Sequence, residues 1–551
     1  MSDPEKHKIL LLPENQRISA DDQQSLFEAL TMAGIMIRSD CGGAGRCGKC
    51  SIRIIDVGKT SGCPPDELEQ CLISEEDLGS GFRLACRMKI ESAMTVEIPD
   101  SSRFIPEVVA KPTTQQLLDE ALAFRGNDQS TLKGYGLAVD LGTTTIGVYL
   151  CDLSLLKVTA SIAVRNPQAL LGADVISRIS AVMMDQRNLA RLKQMAVGGI
   201  EAAIRSLCDT IHISPEEISR MTIVGNSTMI HLILGEDPSS IGTSPYQPKF
   251  TEERKVQAQE IGFHFNPAIS VYTPPLISGF LGADILAAAY AVRFFDQPQG
   301  TLLVDMGTNG ELMLKGSKGI TATSCATGPA FEGANIHHGM QAAPGAVDAM
   351  KLDNHCGKIE ISVIKNNKGL TVKPSGICGS GILSAVAEFI RSGVVLEDGA
   401  FNPQGTHPGL KLDKGKLKKF VIAYGEATAT GRDLIVTQKD IRSIQLAKSA
   451  LTSGIKMICE KAGIKRPEKI LLAGAFGNYM DLDDCYTIGL LAGVGPKDIK
   501  VIGNAAGVGA VLTLFDHASI VELKELARLA KVFNLSANSE FQNIFIKNLN
   551  F

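Results

Sequence analysis

Alternating hydrophobic and polar residues near the start of the chain predict a small domain built from strands and one helix. The segments His7–Leu12, Ser51–Asp56 and Met94–Ile98 are short and rich in apolar residues, as is typical of strands. Ser25–Met32 instead repeats its apolar residues at helical spacing, which predicts a helix. A helix packed on a mixed sheet is therefore expected within residues 1–100.

After residue 134 the pattern changes to β-branched strands that alternate with helices, with glycine at the turns, which predicts an α/β fold. The intervening residues 101–133 contain prolines, the amphipathic run Thr114–Phe124 and a polar segment, as expected for a linker with one helix. We therefore predict an N-terminal domain at 1–100, a linker at 101–133, a first α/β lobe at 134–300 and a second at 301–551.

The α/β part contains one pattern twice. An apolar strand leads into the turn Asp140-Leu-Gly142-Thr143-Thr144, and a second apolar strand leads into Asp305-Met-Gly307-Thr308-Asn309. Each copy is followed by a hydrophobic strand that ends in glycine, at Gly225 in the first copy and at Gly474 in the second. Two such pairs indicate an internal repeat, whereas one Asp-x-Gly-Thr turn alone would be weak.

Composition excludes several classes of function. The net charge is −4, no stretch is dense in Lys or Arg, tryptophan is absent and aromatic residues make up 5%, so a nucleic-acid partner is not expected. No apolar stretch reaches the ~18 residues of a membrane helix, so no membrane partner is expected. Thirteen scattered cysteines without a secretion signal predict a cytoplasmic location.

Four cysteines near the start are the strongest chemical signal. Cys41, Cys47 and Cys50 lie in a glycine-rich loop, and Cys86 follows after a gap. This pattern resembles the plant-type ferredoxin motif C-x4-C-x2-C…C, which binds a [2Fe-2S] cluster, although the first gap here holds five residues. With the expected helix on a mixed sheet, it predicts an α+β domain of the ferredoxin-like β-grasp type. A zinc site is the alternative, because two of these cysteines have knuckle spacing. Cys63 or Cys71 could replace Cys86 as the fourth ligand.

The repeated turns resemble the superfamily of actin, sugar kinases and heat-shock chaperone ATPases, which implies two ribonuclease-H-like lobes that bind ATP. By this resemblance Asp140 and Asp305 hold Mg²⁺, mostly through water. The glycines let backbone amides reach phosphate oxygens, and the threonine hydroxyls donate hydrogen bonds to them. The resemblance therefore assigns phosphate binding to Gly142, Thr143, Thr144, Gly307, Thr308 and Asn309. Gly474 and Gly477 match the adenosine segment, and Glu332 is a candidate for orienting the attacking water.

A [2Fe-2S] domain, a linker and an actin-like ATPase in one chain resemble the reductive activators of corrinoid proteins. The resemblance implies that the protein uses ATP to pass one electron to the corrinoid protein of a methyltransferase system, returning inactive Co(II) to Co(I). An external low-potential electron donor is expected because no flavin or nicotinamide motif is present, and the family suggests a homodimer.

Three other functions remain open from the sequence. The chain could be an ATP-driven electron donor to a radical dehydratase or an aryl-CoA reductase, although such proteins bind a [4Fe-4S] cluster between two subunits. It could be a small-molecule kinase regulated by a redox-sensing cluster, or a non-enzymatic scaffold whose ATPase gates assembly.

Overall fold

The structure is a computed structural model, and it describes the chain except for residues 1–5, 14, 36, 40–42, 44, 46–47, 58–63, 104–111, 126–131, 334, 341, 354–356, 367–368, 414–416, 475–479, 517 and 536–537. The chain packs into two compact units. One comprises residues 1–110, 129–274 and 513–516, and the other comprises 111–128, 275–512 and 517–551.

The N-terminal domain is a five-stranded sheet covered by one helix. Its elements are β1 (Lys6–Leu12), β2 (Gln16–Asp21), α1 (Leu26–Met32), β3 (Ser51–Val57), α2 (Glu67–Leu72), α3 (Glu75–Gly79), β4 (Phe82–Leu84) and β5 (Met94–Glu97). The strand order is β2-β1-β5-β3-β4, and the β1–β5 pair is parallel. This is the predicted β-grasp arrangement, and Ser25 caps α1 by accepting a 3.2 Å hydrogen bond from the Glu28 amide.

Alternation in the strands builds the core of this domain. Ile9 and Leu11 of β1, together with Ile52 of β3, are at most 1% exposed, and Leu26 and Leu30 of α1 pack in the same cluster. Helices α2 and α3 fill the stretch before Cys86. The buried ion pair between Glu69 and Arg83, at 2.7 Å, joins α2 to β4.

The predicted helix at Thr114–Phe124 is present as α4 (Pro112–Arg125). The first α/β region then contains β6 (Tyr135–Leu141), β7 (Thr145–Asp152), β8 (Lys157–Arg165), α5 (Val175–Met184), α6 (Arg187–Ile211), β9 (Ile218–Gly225), α7 (Ser227–Leu234), α8 (Ser239–Gly242), β10 (Arg254–Gln257), α9 (Ala258–Ile261) and β11 (Ser270–Thr273). Its sheet has the order β10-β11-β9-β6-β7-β8, in which β6 is antiparallel to β7 and parallel to β9.

The second α/β region is larger. Its elements are α10 (Ala283–Ala291), β12 (Thr301–Met306), β13 (Gly310–Gly316), β14 (Gly319–Cys325), β15 (Ala346–Leu352), β16 (Ile359–Val363), β17 (Gly376–Ile377), α11 (Gly379–Arg391), β18 (Leu410–Asp413), β19 (Leu417–Ala423), β20 (Leu434–Thr437), α12 (Gln438–Ala462), β21 (Lys469–Ala473), α13 (Leu482–Thr487), β22 (Ile499–Gly503), α14 (Ala505–Phe515), α15 (Ala518–Leu529), β23 (Ala530–Val532) and α16 (Phe541–Lys547).

The second sheet repeats the connectivity of the first. Its order is β22-β21-β12-β13-β14-β23, where β12, β13 and β14 form an antiparallel meander and β21 lies parallel to β12. In the first sheet, β6, β7 and β8 form the corresponding antiparallel meander, and β9 lies parallel to β6. The predicted duplication of an actin-like α/β fold is therefore confirmed. Two small sheets, β16-β15-β17 and β18-β19-β20, belong to the long segment between β14 and β21.

Helix α4 contributes to the core of the second unit. It packs on β22, with Leu117, Leu118 and Ala121 at most 7% exposed. At its surface Glu120 forms a 2.9 Å ion pair with Lys500. Among the described residues, none of the helices is both long and apolar enough to cross a membrane.

Candidate functional site

Two of the four predicted cluster ligands lie side by side. The Sγ atoms of Cys50 and Cys86 are 3.3 Å apart, too far for a disulfide, in which they would be separated by about 2.05 Å. Two thiolates on one tetrahedral ion with bonds of about 2.3 Å are separated by about 3.7 Å. The spacing of this pair therefore fits ligands of a shared metal ion.

The elements around this cysteine pair hold the two sulfurs in place. Cys50 immediately precedes β3 and is 1% exposed, and its carbonyl accepts a 2.9 Å hydrogen bond from the Ala85 amide. Cys86 follows β4 and is half-buried. Cys41, Cys47 and Cys63 lie outside the described residues, and Cys71 is exposed on α2. In the described part of the chain, no cluster of three His, Cys, Asp or Glu residues could hold a metal ion.

The glycine-rich segment 41–50 is called the cysteine loop, and its described glycines adopt the left-handed conformation. Gly43, Gly45 and Gly48 have φ values of +87°, +73° and +68°. A Cβ atom on Gly43 would also lie 2.4 Å from the Cδ2 atom of Leu170. Both the backbone and the available space therefore demand glycine here, as expected where a loop must wrap tightly around a cluster.

The first predicted phosphate turn joins β6 to β7. A Cβ atom on Gly142 would lie 2.5 Å from the Thr145 carbonyl oxygen, so only glycine fits. Thr143 is 8% exposed, and its hydroxyl accepts a 2.9 Å hydrogen bond from Asn226. Asn226 caps α7 directly after β9, so the strand that ends in Gly225 delivers a polar side chain to the predicted phosphate turn.

The second predicted phosphate turn joins β12 to β13. The hydroxyl of Thr308 donates a 2.7 Å hydrogen bond to Glu332, which lies in the 3₁₀ turn Pro329–Glu332. Thr327, which the sequence did not single out, donates to the Thr308 carbonyl oxygen at 3.0 Å. The amide of Gly307 donates to the Asn309 carbonyl oxygen at 2.9 Å, so this amide is engaged within the turn. The structure thus brings Glu332 to the predicted phosphate turn.

Beside the second turn is a buried glutamate, Glu311, whose pKa is affected by two other acidic residues. Glu311 on β13 lies directly opposite Asp305 on β12, and Asp284 is in the first turn of α10. Burial raises the pKa of Glu311 well above its ordinary value, and the charges of Asp284 and Asp305 raise it further. Asp284 and Asp305 therefore lie within electrostatic range of the buried Glu311 carboxyl and favour its neutral form.

The first turn lacks this feature, since Gly147 occupies the position opposite Asp140. The sequence reasoning missed Asp284 and Glu311. Glu311 could have been found, because a tight antiparallel hairpin places residues 305 and 311 on the same face. Asp284 carries no comparable signal in the sequence.

The buried carboxylate predicts a pH effect on stability. The unfolded chain releases the Glu311 proton near the ordinary glutamate pKa, whereas the folded protein retains it to a higher pH. The free energy of unfolding of metal-free protein should therefore fall as pH rises above that ordinary value. Glu311→Gln cannot ionise and should be more stable than the unmodified protein at pH 8, with a smaller difference at pH 5, as measured by thermal unfolding.

Exposed Glu426 provides the control for this comparison. Glu426→Gln should leave the pH dependence unchanged. A Glu311→Gln variant whose stability advantage did not grow with pH would show that Glu311 is already ionised in the folded protein.

Gly474 follows β21 and lies close to the second turn. Its φ value is +106°, and an added Cβ atom would be 2.3 Å from the Met306 carbonyl oxygen at the end of β12. Backbone crowding therefore explains why position 474, which was predicted to belong to the adenosine segment, is a glycine. The other predicted glycine of that segment, Gly477, lies outside the described residues.

Crowding at Gly474 predicts a large loss of stability on substitution. Gly474→Ala should cost about 3 kcal/mol, because it combines backbone strain with a clash against backbone. Gly463, which caps α12 at φ +72° with no atom within 4 Å of an added Cβ, is the matched control. Gly463→Ala should cost about 1 kcal/mol. Equal shifts in the urea unfolding midpoint would contradict the crowding at Gly474.

Family models match almost the entire chain. A model for the 2Fe-2S iron-sulfur cluster binding domain matches residues 9–91. A model for the RACo middle region matches residues 135–297, and a model for the C-terminal domain of RACo, the ASKHA domain, matches residues 299–551. The two RACo models together account for well over half of the sequence.

Full-length relatives support the same assignment. The corrinoid activation enzyme RamQ of Eubacterium limosum is 27% identical and aligns over 99% of each chain. A [Co(II) methylated amine-specific corrinoid protein] reductase of Methanosarcina barkeri is 26% identical over 76% of this chain and 77% of its own. A solved structure of a reductive activator for corrinoid, iron-sulfur protein superposes with a TM-score of 0.70 at 26% identity, covering 99% of this chain and 98% of that one. The chain therefore belongs to the family of reductive activators of corrinoid proteins.

Proposed function

We propose that this protein uses ATP to pass one electron through a [2Fe-2S] cluster to the corrinoid protein of a methyltransferase system, restoring Co(I) from Co(II). The observation that carries the proposal is the Cys50–Cys86 pair, with its sulfurs 3.3 Å apart, in the same polypeptide as two Asp-x-Gly-Thr turns. In the described region the cysteine pair fits cluster ligation, and the turns fit phosphate binding.

The physical need for ATP lies in the redox step. Plant-type [2Fe-2S] clusters have potentials near about −400 mV, and the Co(II)/Co(I) couple of corrinoid proteins is generally lower. Each ~59 mV of mismatch reduces the one-electron equilibrium constant tenfold. Nucleotide binding can offset this deficit only if it favours the complex in which the cobalt is more easily reduced.

Several finer features belong to the proposal. Asp305 would hold Mg²⁺ at the second turn, mostly through water, and Asp140 would do so at the first. The backbone amides of Thr143 and Thr144 at the first turn, and those of Thr308 and Asn309 at the second, would bind phosphate oxygens of ATP. An external low-potential donor would reduce the cluster, and the protein would act in the cytoplasm as a homodimer.

The proposed function can be tested with purified components. Protein with full iron content is mixed anaerobically with Mg-ATP, a low-potential reductant and a Co(II) corrinoid protein, and the visible spectrum is followed. We expect the Co(II) bands to give way to those of Co(I) only when ATP is present. An unchanged spectrum at full iron content would refute the proposal.

The proposed role of the second turn in ATP hydrolysis can be tested by replacing Glu332. Its carboxylate accepts from Thr308 at 2.7 Å and would orient the attacking water beside the phosphates. Glu332→Gln should lower the rate of ATP hydrolysis by about 10²-fold, as expected for loss of a catalytic base or water-positioning group. Nucleotide affinity should change little, because the amide can still accept from Thr308.

Glu426→Gln, at an exposed position of the same unit, should retain full hydrolysis. Equal rates of ATP hydrolysis by Glu332→Gln and the unmodified protein would show that Glu332 does not orient the attacking water.

A further inference from the structure

A short turn of the first α/β region contacts the cysteine loop of the N-terminal domain. This connecting turn, residues 166–172, includes the 3₁₀ segment Pro167–Leu170. Leu170 is half-buried and packs against the hydrophobic core of the N-terminal domain. Its Cδ2 atom would lie 2.4 Å from a Cβ on Gly43, and the Phe27 ring would lie 3.3 Å from the same point. Leu170 therefore touches the loop that carries the predicted cluster ligands.

The opposite side of the connecting turn is bonded to the first phosphate turn. The side chain of Asn166 donates to the Gly142 carbonyl oxygen at 2.9 Å, and its backbone amide donates to the Thr144 carbonyl oxygen at 2.8 Å. Arg178 donates to the Thr143 carbonyl oxygen at 2.5 Å. Three successive carbonyls of the phosphate turn are therefore held by one set of buried donors.

Gln168 ties these donors to one another. Its side-chain oxygen accepts from Asn166 at 3.1 Å and from Arg178 at 3.0 Å. Arg178 also donates to the Gly172 carbonyl oxygen at 2.9 Å, at the far end of the connecting turn. The side chains of Asn166, Gln168 and Arg178 are all 0% exposed, so no water competes for these bonds.

The packing behind the connecting turn is also tight. Gln168 donates to the Leu192 carbonyl oxygen of α6 at 2.9 Å. Helix α6 packs on α1, and a Cβ on Gly198 would lie 3.0 Å from the Cα atom of Gly34, just after α1. Arg191 of α6 lies 3.6 Å from Asp21 and 3.8 Å from Glu28, two acidic residues of the N-terminal domain. The connecting turn is thus held between the phosphate turn and the cysteine loop.

Peptide planarity links phosphate binding to these contacts. The amide N–H of Thr143 and the carbonyl of Gly142 belong to one rigid plane, as do the amide of Thr144 and the carbonyl of Thr143. A phosphate that reorients either amide must rotate the carbonyl held by Asn166 or Arg178. The connecting turn would then move, and Leu170 would press differently on the cysteine loop.

We propose that residues 166–172 couple nucleotide binding at the Gly142–Thr144 turn to the redox state of the cluster, with Leu170 as the positioning residue at the cysteine loop. The inference rests on the proposed function, because it assumes that the chain binds both a cluster and ATP. Hydrogen bonds and packing around a cluster set its potential, so movement of the loop must change that potential.

Thermodynamic linkage makes the coupling measurable in two independent ways. If nucleotide binding changes the oxidised-to-reduced equilibrium of the cluster by some factor, reduction changes nucleotide affinity by the same factor. Coupling between sites typically begins at about fivefold, which corresponds to about 40 mV for one electron. We expect at least this shift on adding Mg-AMP-PNP, and an equal ratio between the Kd values of oxidised and reduced protein.

The experiment uses the full-length protein with its cluster assembled. The midpoint potential is measured by spectroelectrochemical titration with and without Mg-AMP-PNP, and the Kd of Mg-AMP-PNP is measured for both oxidation states. Leu170→Ala should reduce both differences to less than twofold while it still binds cluster and nucleotide. Leu170→Met, which preserves the side-chain volume, should restore them, and Leu155→Ala at a 70% exposed position should change neither.

The outcomes separate the two proposals. Unmodified protein that binds both ligands but shows one potential and one Kd would overturn the coupling and leave the proposed function standing. Undiminished differences in Leu170→Ala would overturn the role of Leu170. Protein that binds no cluster or no nucleotide would refute the proposed function, and the coupling with it.

Discussion

Replacing Cys86 with serine is expected to abolish the cluster and all ATP-dependent electron transfer. The Sγ atom of Cys86 lies 3.3 Å from that of Cys50, and a serine hydroxyl cannot replace a thiolate bound to iron without weakening the site. Iron and sulfide content should fall, together with the visible absorbance and the electron paramagnetic resonance signal of the reduced protein. Far-ultraviolet circular dichroism should show that the fold persists, because the N-terminal domain has its own hydrophobic core.

Cys71 is the matched control for Cys86. It lies on α2 of the same domain and is exposed, so Cys71→Ser should retain the cluster and full electron transfer. Loss of the cluster in Cys71→Ser, with retention in Cys86→Ser, would make Cys71 the fourth ligand. Retention of iron without sulfide in the unmodified protein would favour a simple metal site.

Replacing Asp305 with asparagine should lower ATP-dependent reduction by about 10²–10³-fold, the range expected when one group that stabilises developing charge is removed. Asp305 lies opposite Glu311 and within electrostatic range of it, and would hold Mg²⁺ mostly through water. The cluster content should be unchanged, because Asp305 belongs to the other compact unit. ATP hydrolysis and Co(I) formation should decline together if they are coupled.

Asp483 offers a control of the same chemistry in the same unit. It is exposed in the first turn of α13, and Asp483→Asn should leave both rates unchanged. Full activity of Asp305→Asn at saturating Mg²⁺ would contradict the assignment of Asp305 to metal binding.

Sequence patterns predicted the N-terminal fold and the duplicated α/β architecture because both depend on short-range periodicity. The strand at His7–Leu12, for example, is present as Lys6–Leu12 with its alternate residues Ile9 and Leu11 in the core. The repeat was visible because each Asp-x-Gly-Thr turn directly joins two paired strands. Such features lie within a few residues of one another in the chain.

The parts of the site that the sequence did not reveal depend on contacts between distant segments. Asp284 lies 27 positions from Glu311 and shares no motif with it, yet its charge helps to raise the pKa of that buried carboxyl. The bonds of Arg178 to Thr143 and Gln168 likewise need the folded chain, because nothing in a lone arginine within an amphipathic helix indicates burial.

The two predicted phosphate turns also differ in a way that the repeat concealed. The second turn has Glu311 opposite its aspartate, whereas the first has Gly147 there. Carbonyl oxygens of the first turn instead accept hydrogen bonds from Asn166 and Arg178. Both side chains are bonded within the connecting turn that contacts the cysteine loop.

A single-turnover experiment tests most directly whether nucleotide drives the electron uphill. Protein with a chemically reduced cluster, freed of excess reductant, is mixed with a Co(II) corrinoid protein, with and without Mg-ATP, and frozen for electron paramagnetic resonance. With Mg-ATP, the reduced-cluster and Co(II) signals should disappear together, one electron per cobalt, and without it both should persist. Equal loss of the two signals in both samples, or persistence in both despite ATP hydrolysis, would contradict the account.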